Sequence, residues 1–205
     1  DEKGSFADQL SQLNDWLTLS GTESGETVFP TPIPPLPPQG FVLGASVQSA
    51  QLAAQFNWHF IFAAHLNGDR ALLRDVLSFW QTHSARPTIV AVQVIVADSN
   101  DTAAQLAENV QIWGVELENG QRVTVASEEQ ALAFAAQAGS PPRKIARREQ
   151  ALLHGTAQEV MAKLNALHTQ FGIEEFIIDT PLAEGHARLT SLRLLAQAHN
   201  AVEVL

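Results

Sequence analysis

Apolar residues recur along this chain in two rhythms, one of helical spacing and one of short unbroken runs. Over residues 5–18, Phe6, Leu10, Leu13 and Leu17 lie on one helical stripe, and Ser20-Gly21 supplies a stop. Phe41-Val42-Leu43 is a short apolar run, followed by the small-residue turn Gly44-Ala45-Ser46 and a helix whose alanines, Ala50, Ala53 and Ala54, allow close packing on a sheet. A second run, Trp58 to Ala64, leads to a predicted helix over 69–83 with Leu72, Leu73, Val76, Leu77 and Trp80 on its buried face. Residues 87–96 are rich in β-branched side chains and form the strongest predicted strand. Asp98-Ser99 then caps a helix predicted over 102–113. From Gly114 to Ser140 the rhythm breaks. Asn119-Gly120 between alternating apolar residues predicts a hairpin, and SEEQALAFAAQAG predicts a capped helix with a glycine stop. Arg143, Lys144, Arg147 and Arg148 follow on a predicted helix. Thr156 and Glu159 form a capping box for the next helix, Phe176 to Thr180 is the last predicted strand, and a final helix over 188–199 carries Leu192, Leu194, Leu195 and Ala198.

Strands separated by helices four times over predict right-handed crossovers and a parallel sheet, so the fold class is α/β with parallel (β/α) units. Four such units are half of an eight-stranded barrel, which takes about 250 residues. The chain has 205, treated as one domain over 1–205. Two segments stand outside the repeat. Residues 21–40 hold six prolines between Pro30 and Pro38, which forbids helix and inner strand and predicts an extended connector, or else a ligand for a proline-reading module. Residues 114–140 are too long for an ordinary strand-to-helix connection and are expected to be a functional excursion or lid.

Composition narrows the function. A hydrophobic fraction of 45% with 17% charged residues is that of an ordinary globular domain, and the net charge of −10 argues against non-specific nucleic-acid binding. There is no cysteine, so disulfides, thiolate metal sites and a cysteine nucleophile are excluded. No apolar run reaches the roughly 20 residues of a membrane span, and DEKGSFADQL is unlike a signal peptide, so a cytoplasmic protein with no membrane partner is expected. The chain begins at Asp1 and enters a helix almost at once, as a fragment would.

The chemistry centres on the turn after Phe41. Gly44 permits a sharp bend, and Ser46 and Ser49 place two hydroxyls beside the free N–H groups of a helix start, an arrangement suited to a phosphate. The competing reading is that both serines only cap the helix. His65 stands at the carboxyl end of the second predicted strand, as a hydrogen-bonding wall residue or a proton-transfer group. The remaining histidines show no metal-ligand spacing. Asp179 is separated from Glu174 and Glu175, which precede the strand at its opposite end, so this trio is not expected to work as an acid/base set. Asp98 to Asp101 is expected to cap a helix rather than hold a cation. The basic cluster is a solvated face or an anion contact, and Arg188 is a better placed anion contact than Arg193.

FVLGASVQSAQLAAQF resembles the second half of bacterial-luciferase-like flavin monooxygenases, in which a strand ending in G-x-S-x-x-S-A-x-x-A-A gives way to a helix that holds the flavin phosphate. Gly44, Ser46, Ser49, Ala50, Ala53 and Ala54 match in order, HFIFAAH continues the match, and GTAQEVMAKLNALHTQFGIEEFIIDT and ARLTSLRLLAQAH are similar to the family's last helix–strand–helix segment. The resemblance runs from about Phe6 to His199 and implies the C-terminal half of a TIM (β/α)8 barrel. It implies reduced FMN as cofactor, a deazaflavin being the alternative, with Gly44, Ala45, Ser46, Val47, Ser49 and His65 as cofactor-binding residues. The family's catalytic histidine and phosphate-binding arginine belong to the first half, so no catalytic residue transfers to this chain. The expected partners are a flavin, a small-molecule substrate, and either a second copy or the missing half. The alternative is a non-catalytic flavin-binding or structural relative of the same fold.

Overall fold

A computed structural model of the chain describes residues 4–18, 35–64, 69–125, 127–148 and 151–202. Most of the proline-rich connector and His65 lie outside the described residues. Helix α1 (Phe6–Thr18) precedes the first strand, β1 (Phe41–Gly44), which runs into α2 (Val47–Gln55). Then come β2 (His59–Ala63), α3 (Arg70–His83), β3 (Ile89–Val96) and α4 (Asn100–Glu108). An antiparallel insertion follows, made of β4 (Ile112–Leu117), β5 (Arg122–Val125), α5 (Glu128–Gln137) and β6 (Pro142–Arg148). The chain returns through β7 (Leu152–Gly155) and α6 (Ala157–Phe171) to β8 (Glu175–Asp179) and α7 (Gly185–Val202).

The main sheet is parallel throughout. β1 pairs with β2, β2 with β3, and β3 with both β8 and β7. β2 pairs with β3 at Ile61 to Ala63, whereas β7 pairs with it at Gln93 to Val96, so β7 prolongs the pairing of β3 beyond the point where β2 leaves it. The fold is an α/β partial barrel of the TIM type.

Strand alternation explains which side chains are covered. Val42, Phe60, Phe62, Val90, Val92, Val94 and Val96 point to one face and are buried under α2, α3, α6 and α7, with Ala50, Ala53, Trp80, Val160 and Leu195 among the partners. The opposite face carries Phe41 and Leu43, exposed at 49% and 56%, and Ile177 at 40%, beside a small separate cluster of Ile61, Ile89 and Ala91. Among the described residues, only one face of the sheet has helices over it.

Several sequence expectations need correction. The basic cluster is not helical. Pro141 and Pro142 hold the chain extended, and the free edge of β4 takes up residues 142–148 as β6, with Val115 opposite Ile145 and Trp113 opposite Arg147. Trp113 consequently belongs to β4, and α4 ends at Glu108. The strand β7 has no sequence counterpart, because four residues are too few to show a period. Of the α1 stripe, Leu10 is buried while Phe6 and Leu13 remain 62% and 41% exposed. α1 is tied to the sheet by Trp58 Nε1, which donates to Asn14 Oδ1 at 3.1 Å.

Candidate functional site

All main-sheet strands are parallel, so Gly44, Ala63, Val96, Gly155 and Asp179 end at the same edge of the sheet. Ligands of parallel α/β sheets collect at that carboxyl edge. There Ser46 sits in extended backbone (φ −147°, ψ 156°) as the N-cap of α2. Its Oγ accepts from Ser49 N at 3.2 Å and shares a hydrogen bond with Ser49 Oγ at 3.0 Å. A Cβ on Gly44 would come within 2.5 Å of the Ser49 side chain, so only glycine lets strand and helix meet this closely. Helix geometry gives the N–H groups of Val47 and Gln48 no partner along α2. No acidic residue stands in its first turn. Five other helix starts differ: α1 has Asp8, α3 is capped by Asp69, α4 has Asp101, α5 has Glu128 and Glu129, and α6 has Glu159, whereas α7, like α2, has no acidic residue in its first turn. An anion at α2 therefore meets partial positive charge without a competing carboxylate. The residues present fit a phosphate: two hydroxyls and two N–H groups with no partner along the helix, on a turn where glycine lets the Ser49 side chain approach the strand.

The remaining candidates are distributed as follows. Asp98 and Ser99 lie at the start of α4, where Ser99 Oγ accepts from Thr102 N at 3.2 Å. Asn100 joins that helix start to the next one. Its Oδ1 accepts from Thr156 N at 3.1 Å, and its Nδ2 donates to Glu159 Oε1 at 2.8 Å. The Asn100 bond, with help from Thr156 and Lys163, holds the Glu159 carboxyl below its ordinary value, so the start of α6 is occupied by its own anion. Glu174 Oε1 accepts from Thr88 N at 3.0 Å at the amino end of the sheet, far along β8 from Asp179. Arg122 and Arg143 both reach Glu116 Oε1, at 3.2 and 3.5 Å, while Lys144 lies exposed beside them. Arg188 and Arg193 are exposed on α7. Among the described residues, no group of His, Asp and Glu is placed to hold a metal. No described helix is long and apolar enough to cross a membrane.

Two polar features of the uncovered sheet face escaped sequence reasoning. Gln93 Nε2 donates to Asp179 Oδ2 at 2.8 Å. At the amino end, His59 stacks on Phe41 with centroids 4.5 Å apart, and its Nε2 lies 2.8 Å from Arg86 Nη1. Gln93 interrupts the apolar run of β3, and that interruption was the available signal.

No family profile matches the chain. A search of characterised proteins finds the N-acetyl-S-alkylcysteine monooxygenase of Bacillus subtilis (strain 168), 29% identical over 199 residues, covering 94% of this chain and 59% of that protein. Among solved structures, apo-MsnO8 superposes with a TM-score of 0.67 at 22% identity, over 98% of this chain and 61% of that one. The monooxygenase RslO1 from Streptomyces bottropensis follows with a TM-score of 0.55 at 17% identity, over 87% and 54%. The chain is thus similar in sequence to a monooxygenase and shares the fold of these solved structures. It spans about three-fifths of the length of the Bacillus subtilis protein and of apo-MsnO8.

Proposed function

We propose that this chain supplies the flavin-phosphate half of an FMN-dependent, luciferase-like monooxygenase. The observation that carries this reading is the start of α2, where Gly44, Ala45, Ser46, Val47 and Ser49 present hydroxyls and main-chain N–H groups with no carboxylate in the turn. The similarity to a monooxygenase over nearly the whole chain supports it. Reduced flavin, when bound, supplies the electrons that activate O2, while the protein binds, orients and shields it. Ser46 and Ser49 would hold the phosphate, His65 would line the ring, and the insertion over 114–140 would close over the mouth and exclude water. No residue of this chain is assigned to proton transfer. A half that completes the barrel, or a second copy, would contribute the rest.

The phosphate assignment separates cleanly from the ring. FMN and riboflavin differ only by the phosphate, so wild-type protein should bind FMN more tightly in a fluorescence titration. Ser46→Ala combined with Ser49→Ala should erase about tenfold of that preference, the worth of a single charge-assisted hydrogen bond at the low end. Equal affinity of wild type for the two ligands would remove the reading. Oxygen uptake with reduced FMN and candidate substrates then distinguishes an enzyme from a flavin-binding relative without turnover.

A further inference from the structure

The face of the main sheet opposite the helices has a layered composition, with buried apolar residues below a polar pair. Reading upward toward the carboxyl edge, one layer holds Ile61, Ile89 and Glu175, and the next holds Ala63, Ala91 and Ile177. Gln93 and Asp179 form the layer above and are joined by the 2.8 Å hydrogen bond. Ala63 and Ala91, the small members of this face, lie in the layer below the polar pair and are buried. Gly44 is level with Phe62, and Phe62 with Val90, so Gln93 stands three residues above Gly44. At about 3.3 Å per residue this puts the pair near the height of the α2 start. β3 and β8 are two and three strand spacings from β1, or about 10 and 14 Å across the sheet. A ring tethered to a phosphate on α2 through a five-carbon polyol spans that interval.

The hydrogen-bonding capacity of the pair is specific. One Gln93 amide hydrogen is spent on Asp179, which leaves its second N–H as a donor and the remaining Asp179 oxygen as an acceptor. A donor beside an acceptor matches a ligand edge that has a carbonyl next to an N–H. The pyrimidine edge of a flavin carries that arrangement. We propose that Gln93 and Asp179 position the flavin ring, with Asp179 accepting from the ring N–H and Gln93 donating to the adjacent carbonyl. This deepens the phosphate assignment above and rests on it for the location of the tether.

Riboflavin tests the proposal, because it has the ring and lacks the phosphate. Asp179→Asn and Gln93→Ala should each weaken riboflavin and FMN in parallel, by about tenfold for Asp179→Asn. They should also reduce the shift of the flavin visible absorption band on binding, while the melting temperature moves little. If riboflavin binding and the band shift are unchanged in both variants, the proposal fails even where the serine variants lower FMN affinity. If both variants weaken riboflavin while the serine variants leave FMN untouched, the ring site stands and the phosphate assignment falls. A wild-type protein that binds neither ligand overturns both. Loss of melting temperature in step with loss of affinity reassigns the pair to a structural role.

Discussion

At the residue scale, His59 shows how a single side chain records its surroundings. Arg86 Nη1 can only donate, so at 2.8 Å the His59 Nε2 must accept, and the ring proton resides on Nδ1. That nitrogen is buried and has no hydrogen-bond partner. Protonation would set a second N–H against the Arg86 guanidinium. The imidazole is accordingly held below its ordinary value of 6.5, first by burial and then by Arg86, with Glu175 pulling weakly the other way. The unfolded chain then binds a proton more readily than the folded one. Stability is fully present above the unfolded value and declines as pH falls through about 6.5 toward the folded value. Denaturant midpoints measured between about pH 7.5 and 5.5 should drop on acidification, and His59→Gln, which still offers Arg86 an acceptor, should flatten that part of the slope. An equal slope in both proteins would mean that other groups carry it.

At the element scale, the segments legible in the sequence are those whose ends announce themselves. α6 has both signals: the Thr156–Glu159 capping box at its start, and Gly172 at its end in the left-handed conformation (φ 64°). Thr156→Ala should therefore cost about 1 kcal/mol of stability, read from chemical denaturation, with the far-ultraviolet helical signal retained. A loss below a few tenths would show that Asn100, which accepts from Thr156 N and binds Glu159, sustains the helix start unaided. β3 was equally legible, since its β-branched run is covered on one face by helices and flanked on both edges. β6 was not, because arginine and lysine favour helix in isolation and only the edge of β4 makes them a strand. The candidate site divides in the same way. Gly44, Ser46 and Ser49 are local in sequence and could be found as a turn followed by a cap. The Gln93–Asp179 pair joins residues on two strands that are distant along the chain, and no spacing rule brings them together.

At the scale of the whole molecule, the sheet has a dry side and an open side. Among the described residues β1 pairs only with β2 and β8 only with β3, so each presents one unpaired edge. Phe41, Leu43 and Ile177 are exposed between those edges. Burying a single leucine or phenylalanine is worth about 1.5–3 kcal/mol, and open parallel edges template further strands. In a closed barrel the same side chains would fill the interior, which is packed rather than hollow. The physical expectation is that this face does not stay bare. Sedimentation of the chain at micromolar concentration should give a species heavier than the 22.2 kDa monomer, dissociating on dilution. Leu43→Glu places a charge in the middle of the exposed patch without touching the helix-covered core, where Val42 and Phe60 are buried, so it should yield monomer with an unchanged helical signal. A wild-type monomer that melts cooperatively and does not bind a hydrophobic dye would mean that this face is stable in water by itself. The requirement for a complementary half-barrel or a second copy would then be withdrawn.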